Sequence, residues 1–242
     1  MTNFCALAIE AGTERMSLAA CAGGRSLLWE TKPARRETHR IYEHAKRLLL
    51  EVGADFSRLD CVAFGCGPGS FTGVRMAAAA AQAIAFARSI PVCRRSSLAV
   101  LAAGAARMLG AQLVATCLDA WMERVYLAVY RAGPGQDVTP VVPDALVDPL
   151  EYAIAGGEPF VAVGPGWLAY PPLLARHRGR ITTLQPGLLP SAADLLSMAV
   201  ADFGAGRTVQ AHEALPEYLG HMPGMAGPLA ARQGDNPETG KC

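Results

Sequence analysis

The sequence predicts an α/β chain of two similar lobes, each a mixed sheet with helices packed on it. Three observations predict it. Short apolar runs alternate with stretches whose apolar residues recur at helical spacing. The element order of the first half, β-β-β-α-β-α, returns in the second. A pattern also echoes between the halves. Ile9-Glu10-Ala11-Gly12-Thr13-Glu14-Arg15 and Leu118-Asp119-Ala120-Trp121-Met122-Glu123-Arg124 both read apolar-acid-Ala-x-x-Glu-Arg at a strand-to-hairpin turn. With 242 residues there is room for lobes at 1–108 and 109–220, and for a Gly- and Pro-rich tail, 221–242, expected to be flexible.

In the first half, Phe4 to Ile9, Met16 to Cys21 and Ser26 to Thr31 read as strands, with Gly23-Gly24 as the hairpin turn between the last two. From Thr38 to Val52 the period changes: Ile41, Ala45, Leu48, Leu49 and Val52 fall on one helical face, and Gly53 ends it. Cys61 to Gly65 is a buried strand. A turn at Gly67-Pro68-Gly69-Ser70 follows, then a long helix to about Arg88 with Ser70 or Thr72 as its cap. Pro91 to Cys93 is a brief strand, and Ser96 or Ser97 caps a helix to about Leu109. In the second half, Gln112 to Leu118, Arg124 to Tyr130 and Val138 to Val142 are strands. A helix near Asp148 to Ala155, a strand Phe160 to Val163, a turn Gly164-Pro165-Gly166 and a helix from Trp167 follow. A strand near Ile181 to Leu184 and a helix from Ser191 to Phe203 complete it.

Composition narrows the function classes. With 51% hydrophobic and 18% charged residues the chain is globular. A net charge of +1 supplies no field aimed at nucleic acid or membrane. The densest basic cluster, Arg35, Arg36, Arg40, Lys46 and Arg47, reads first as a solvated helix face and second as a direct RNA contact. Neither a targeting segment nor a membrane span is evident, and the seven cysteines, without a Cys-x-x-Cys pair, read as reduced core thiols of a cytoplasmic protein.

Two facing lobes with acid-ended hairpins resemble the actin-like and Hsp70-like (ASKHA) architecture, built from duplicated RNase H-like units. There such hairpins hold a nucleotide's phosphates across a cleft. Glu10, Gly12, Thr13 and Asp119 would line it, the two acids as ligands to metal-bound water. The first turn is small enough for close backbone approach to phosphate. The second is blocked by Trp121 and Met122, so the cleft is expected to be degenerate.

The segment Gly65-Cys66-Gly67-Pro68-Gly69-Ser70-Phe71-Thr72-Gly73-Val74-Arg75 opens a helix. It is not a Walker A loop, because no Lys-Ser/Thr pair follows its last glycine. Two readings stand: an anion pocket of backbone amides, or a tight turn that lets the helix pack on its strand. The helix after it, Met76 to Ala87, has almost no polar face and must be covered on all sides, either within the chain or by a second protein. Among the five histidines, His39 and His44 are not spaced as a helical metal pair, and no Gly-x-Ser-x-Gly elbow occurs. No metal site is expected.

Gly67-Pro68-Gly69-Ser70-Phe71-Thr72-Gly73-Val74-Arg75 resembles the signature of the bacterial TsaB family, also called YeaZ. Leu118-Asp119-Ala120 through Glu123-Arg124-Val125-Tyr126, Val163-Gly164-Pro165-Gly166-Trp167 and Pro216-Glu217-Tyr218-Leu219 are similar to further blocks of it, in order. The resemblance implies a non-catalytic subunit in threonylcarbamoyl transfer to the anticodon-adjacent adenosine of tRNAs reading codons that begin with A. Catalysis would belong to a paralogue, TsaD. TsaE, an ATPase, is the other implied partner, with homodimerisation when TsaD is absent and tRNA met only through the complex. No cofactor is expected to be held firmly, ATP or ADP only within the complex. The implied docking surface lies on the helices Thr38–Val52 and Ser70–Arg88, at Thr38, Ile41, Tyr42, Ala45, Leu49, Phe71, Thr72, Arg75, Met76, Ala79, Ala80 and Ala83. Three positions depart from the family pattern: Glu10 for Asp, Glu37-Thr38 for a His-Ser or His-Thr pair, and Gly220 where Arg is frequent. The competing function class is an enzyme acting alone, an ATPase or a glycoprotease-like peptidase.

Overall fold

The computed structural model describes residues 4–32 and 37–220, apart from the side chains of Thr38 and Gln136. The expected tail, 221–242, and two members of the basic cluster, Arg35 and Arg36, lie outside the described residues. The first half runs β1 (Ala6–Glu10), β2 (Met16–Ala22), β3 (Arg25–Thr31), α1 (Ile41–Glu51), β4 (Cys61–Gly65), α2 (Phe71–Arg88), β5 (Val92–Arg95) and α3 (Ser97–Leu109). The second runs β6 (Leu113–Trp121), β7 (Arg124–Ala132), β8 (Val138–Val147), β9 (Phe160–Val163), α4 (Gly166–Ala169), α5 (Pro171–His177), β10 (Ile181–Gln185) and α6 (Ala192–Gly204).

The two sheets have one topology. The first is ordered β3-β2-β1-β4-β5, the second β8-β7-β6-β9-β10 when read in the same sense. In each, the first three strands form an antiparallel meander and the last two run parallel to the first. Gly23 and Gly24, at φ +56° and +80°, supply the two left-handed residues that a tight β2–β3 hairpin demands. The duplication expected from the element order is therefore real.

The packing interlocks the halves. On β1 and β4 the side chains alternate between large and small. Leu7, Ile9, Val62 and Phe64 point to one face, under α1 and α2. Ala6, Ala8, Cys61 and Ala63 point to the other. That small-residue floor receives α6 from the second half, while α3 of the first half packs on β6 and β7. The layers are thus α1/α2, first sheet, α3/α6, second sheet, α4/α5. Polar contacts fix the exchange. Ser17 Oγ accepts from the Ala192 amide at 2.9 Å, and Arg15 donates to the Leu189 and Pro190 carbonyls. Asp202 of α6, buried, takes both Arg95 and Arg207. Asp194 pairs with Arg107 at 2.8 Å, and at Gly104 a Cβ would meet its Oδ2 at 2.7 Å, so α3 and α6 cross closely there. The lobes 1–108 and 109–220 divide the chain by repeat, whereas the core is shared across that division.

Several expected elements differ. No helix forms at 148–155. Pro149 follows Asp148, whose carbonyl accepts from Glu151 and Tyr152 in a single turn, and Gly156 at φ +84° ends any continuation. β8 runs to Val147, five residues past the expected end. The helix from Trp167 breaks at Tyr170, because Pro171-Pro172 has no amides to continue it. α1 begins at Ile41, after a 3₁₀ turn over Thr38–Arg40.

If α6 completes the first sheet, residues 1–108 expressed alone should not fold cooperatively. Circular dichroism and dye binding should show a broad melt and exposed apolar surface, against a single transition for the full chain. A sharp melt of the fragment would refute the shared core.

Candidate functional site

Of the residues expected to line a nucleotide cleft, Glu10 is enclosed by the chain itself. Glu10 ends β1 on the small-residue side of the sheet and is fully buried. Its Oε1 accepts from the Gly12 amide at 2.8 Å, and Ser97 Oγ at the start of α3 lies 3.2 and 3.1 Å from its two oxygens. Gly65, its neighbour across β4, has to be glycine, since a Cβ there would overlap the Glu10 carboxyl group. Burial pushes the Glu10 carboxyl above its ordinary range, against the hydrogen bonds from Gly12 and Ser97, which favour the charged form. Of the four expected cleft residues, Glu10 and Gly12 meet. Thr13 bonds locally with Arg15, and Asp119 accepts from the Trp121 amide and from Tyr170 Oη. Among the described residues Asp119 and Glu10 share no hydrogen-bonding partner.

The Gly-rich signature closes the first hairpin further. The Ser70 amide donates to the Gly12 carbonyl at 2.7 Å, and Ser70 Oγ accepts from Gly73 as the cap of α2. A Cβ on Gly69 or Gly73 would overlap the Gly12 and Ala11 backbone. The tight-packing reading of this segment therefore holds: the glycines let the turn sit directly on the hairpin. The Pro216–Leu219 block straps across it. The Glu217 amide donates to the Cys66 carbonyl at 2.7 Å, and Arg75 lies over the Phe71 ring at 3.2 Å while donating to Tyr218 Oη at 2.7 Å. The Gly164–Trp167 block is likewise structural. Trp167 is buried with Nε1 on the Ala115 carbonyl, and Gly166 admits the Cys117 thiol. At the second hairpin Trp121, Met122 and Glu123 all adopt positive φ, and the Trp121 and Met122 side chains stand in solvent.

The outward surface of α1 and α2 is open. Seven residues of α2 face the first sheet, among them Ala77, Ala78, Ala81, Ile84 and Ala85. Phe71, Thr72, Ala79, Ala83, Phe86 and Ala87 face out, with Phe86 81% exposed. Their spacing, near three and four residues, makes one stripe. Arg75, Met76 and Ala80 are half-buried at its edge. On α1, Tyr42 stacks on Phe56 at 4.8 Å and is 60% exposed, and Leu50 is 61% exposed. Three expected docking residues need correction. Ile41, Ala45 and Leu49 are buried against the first sheet. Their own periodicity marks the core face of an amphipathic helix, and a partner would meet the opposite face. Phe86, Leu50 and Tyr218 are also exposed on this side, and Phe86 stands three residues beyond Ala83, at helical spacing from it. Glu37, in place of the family's histidine, bonds His44 at 2.8 Å and pairs with Arg40, bracing the start of α1.

Two interlocked lobes of one topology, each a mixed sheet with helices packed on it, define an actin-like α/β protein. A family model described as TsaD: tRNA N6-adenosine threonylcarbamoyltransferase matches residues 31–158. The chain is 34% identical to the tRNA threonylcarbamoyladenosine biosynthesis protein TsaB of Escherichia coli K12, with 88% of this chain and 93% of that protein aligned. It is 31% identical to the Haemophilus influenzae protein of the same name, over 90% and 94%. YeaZ from Pseudomonas aeruginosa superposes with a TM-score of 0.80 at 35% identity, over 89% of this chain and 100% of that one. A second structure, of an uncharacterized protein with similarity to peptidase YEAZ from Pseudomonas aeruginosa, gives 0.83 at 36% identity, over 89% and 99%. The chain belongs to the TsaB family.

The buried carboxyl group makes a pH prediction. Its folded pKa is raised, so its contribution to stability is full below the ordinary carboxylate range and is lost as pH rises through the folded value. Glu10→Gln keeps the shape and removes the titration. The melting temperature of the variant minus that of the parent should grow as pH rises above the ordinary carboxylate range. A difference that stays constant with pH would show that Glu10 is not the titrating group.

Proposed function

We propose that this chain is a non-catalytic subunit in tRNA threonylcarbamoyladenosine biosynthesis, which works by docking α1 and α2 against a catalytic TsaD-type paralogue. The observation that carries the proposal is the exposed stripe of Ala79, Ala83 and Phe86 on a helix with almost no polar side chain. Such a surface is unfavourable in water and suits a helix–helix seam, because alanines allow close approach and Phe86 supplies an anchor. Tyr42 and Leu50 extend the surface along α1. The arrangement near Glu10 supports the non-catalytic half of the reading. Phosphate entering there would meet a buried carboxyl group, an amide already donating to it and a carbonyl already bonded to Ser70. Any ATP or ADP would then be held at the boundary with the partner, with TsaE and tRNA engaged through the assembled complex. In the absence of TsaD the same stripe would pair with a second copy.

Ala83→Glu and Phe86→Asp should each weaken association with the TsaD paralogue at least about 100-fold, or about 3 kcal/mol. The melting temperature of the isolated chain should be unchanged, since both side chains are exposed. Biolayer interferometry with purified partners measures the first effect and calorimetry the second. Full binding by both variants would sink the proposal. ATP turnover by the isolated chain, abolished by Glu10→Ala, would establish the enzyme reading in its place.

A further inference from the structure

A cavity of about 440 Å³ lies beside the Glu10 environment, with Cys66 and Ser96, the chain neighbours of Gly65 and Ser97, in its lining. One wall is the end of β5 and the start of α3, with Arg94 and Ser96. The opposite wall is the end of β7 and the start of β8, with Tyr130, Val138 and Pro140. Glu217 of the C-terminal strap closes one side. Both halves of the chain and the strap thus contribute.

Its charges are arranged in opposition. Asp144 stands directly behind the wall, held by the Ser96 and Tyr130 hydroxyl groups. Among the described residues those neutral donors are its hydrogen-bonding partners. Ser96 also accepts from the Leu98 and Ala99 amides, which sets Asp144 at the amino end of α3. A helix end supplies about half a unit of positive charge, so Asp144 remains undercompensated. Burial accordingly pushes its carboxyl above the ordinary range, and Glu217 pushes the same way. Arg94 lies 3.4 Å from the half-exposed Glu217 carboxylate, a loose contact. Arg95, by contrast, is already engaged by Asp202. The cavity is therefore lined by one carboxylate, Glu217, and a guanidinium, Arg94, with Ala99, Val138 and Pro140 as an apolar wall, and Asp144 lies behind the Ser96 and Tyr130 hydroxyl groups.

We propose that this inter-lobe cavity binds a small zwitterion of the α-amino acid class with a short aliphatic side chain. The ammonium group sits toward Asp144 and Glu217, the carboxylate on Arg94, and the side chain on the Val138–Pro140 wall. A lone anion would face Glu217, with Asp144 behind the wall, and a lone cation would face Arg94. A molecule carrying both charges a few ångströms apart satisfies each side and replaces the loose Arg94–Glu217 contact with charge-assisted hydrogen bonds.

Isothermal titration of the full chain tests this with L-valine and its two fragments, isovalerate and isobutylamine. L-valine should bind saturably and at least about tenfold tighter than either fragment. Arg94→Gln should weaken L-valine about tenfold and leave isobutylamine unchanged, and Glu217→Gln should weaken L-valine and isobutylamine and leave isovalerate unchanged. Both side chains are partly exposed, so the variants should melt as the parent does. The inference is overturned if L-valine does not bind, or if isovalerate or isobutylamine binds as tightly as L-valine. Parent-like L-valine affinity in both variants would overturn it as well.

Discussion

The fold depends on one steric constraint: the inner face of the first sheet carries only small side chains. Ala6, Ala8, Ala19, Cys61, Ala63 and Cys93 form a floor low enough for a helix from the other half to lie on it. Larger residues there would lift α6 away and separate Asp202 from Arg95. The exchange of α3 and α6 follows from that floor, and so does the single core that runs between the sheets. Domain motion of the hinged kind is restricted by the same arrangement, because each half is covered by part of the other.

The enclosure of Glu10 is a local consequence. Glu10 lies on the small-residue side, beside Gly65, where α3 brings Ser97 to it. Its side chain, one methylene longer than aspartate, fills that position. The glycines of the signature serve the same end: Gly69 and Gly73 bring the turn onto the Ala11–Gly12 backbone. The most recognisable motif in the chain is thus a packing device, and the apolar stripe on the far side of the same helix stays exposed.

Most of the fold was legible in the sequence. Alternation and helical spacing located all ten strands and the three helices of the first half, and the repeated order gave the duplication. The failures have physical causes. At 148–155 an acid and scattered apolar residues suggested a helix, but Pro149 and Gly156 outweighed them. Of the α1 residues that the family resemblance implied for docking, three face inward. Ile41, Ala45 and Leu49 satisfy the sheet beneath them, leaving Tyr42 and Leu50 outside. Spacing identifies a face of a helix without saying what that face meets.

The sequence by itself determined the elements, their repetition, the family blocks and the presence of an apolar helix in need of cover, since these rest on local spacing and residue chemistry. Tertiary structure alone decided which face of α2 stays open, that Glu10 is sealed by Ser97 and Gly65, and that Asp144 and Arg94 come to flank one cavity. Each of these joins residues from distant parts of the chain. Their proximity follows from helices crossing between the halves, a long-range packing outcome that no local pattern encodes.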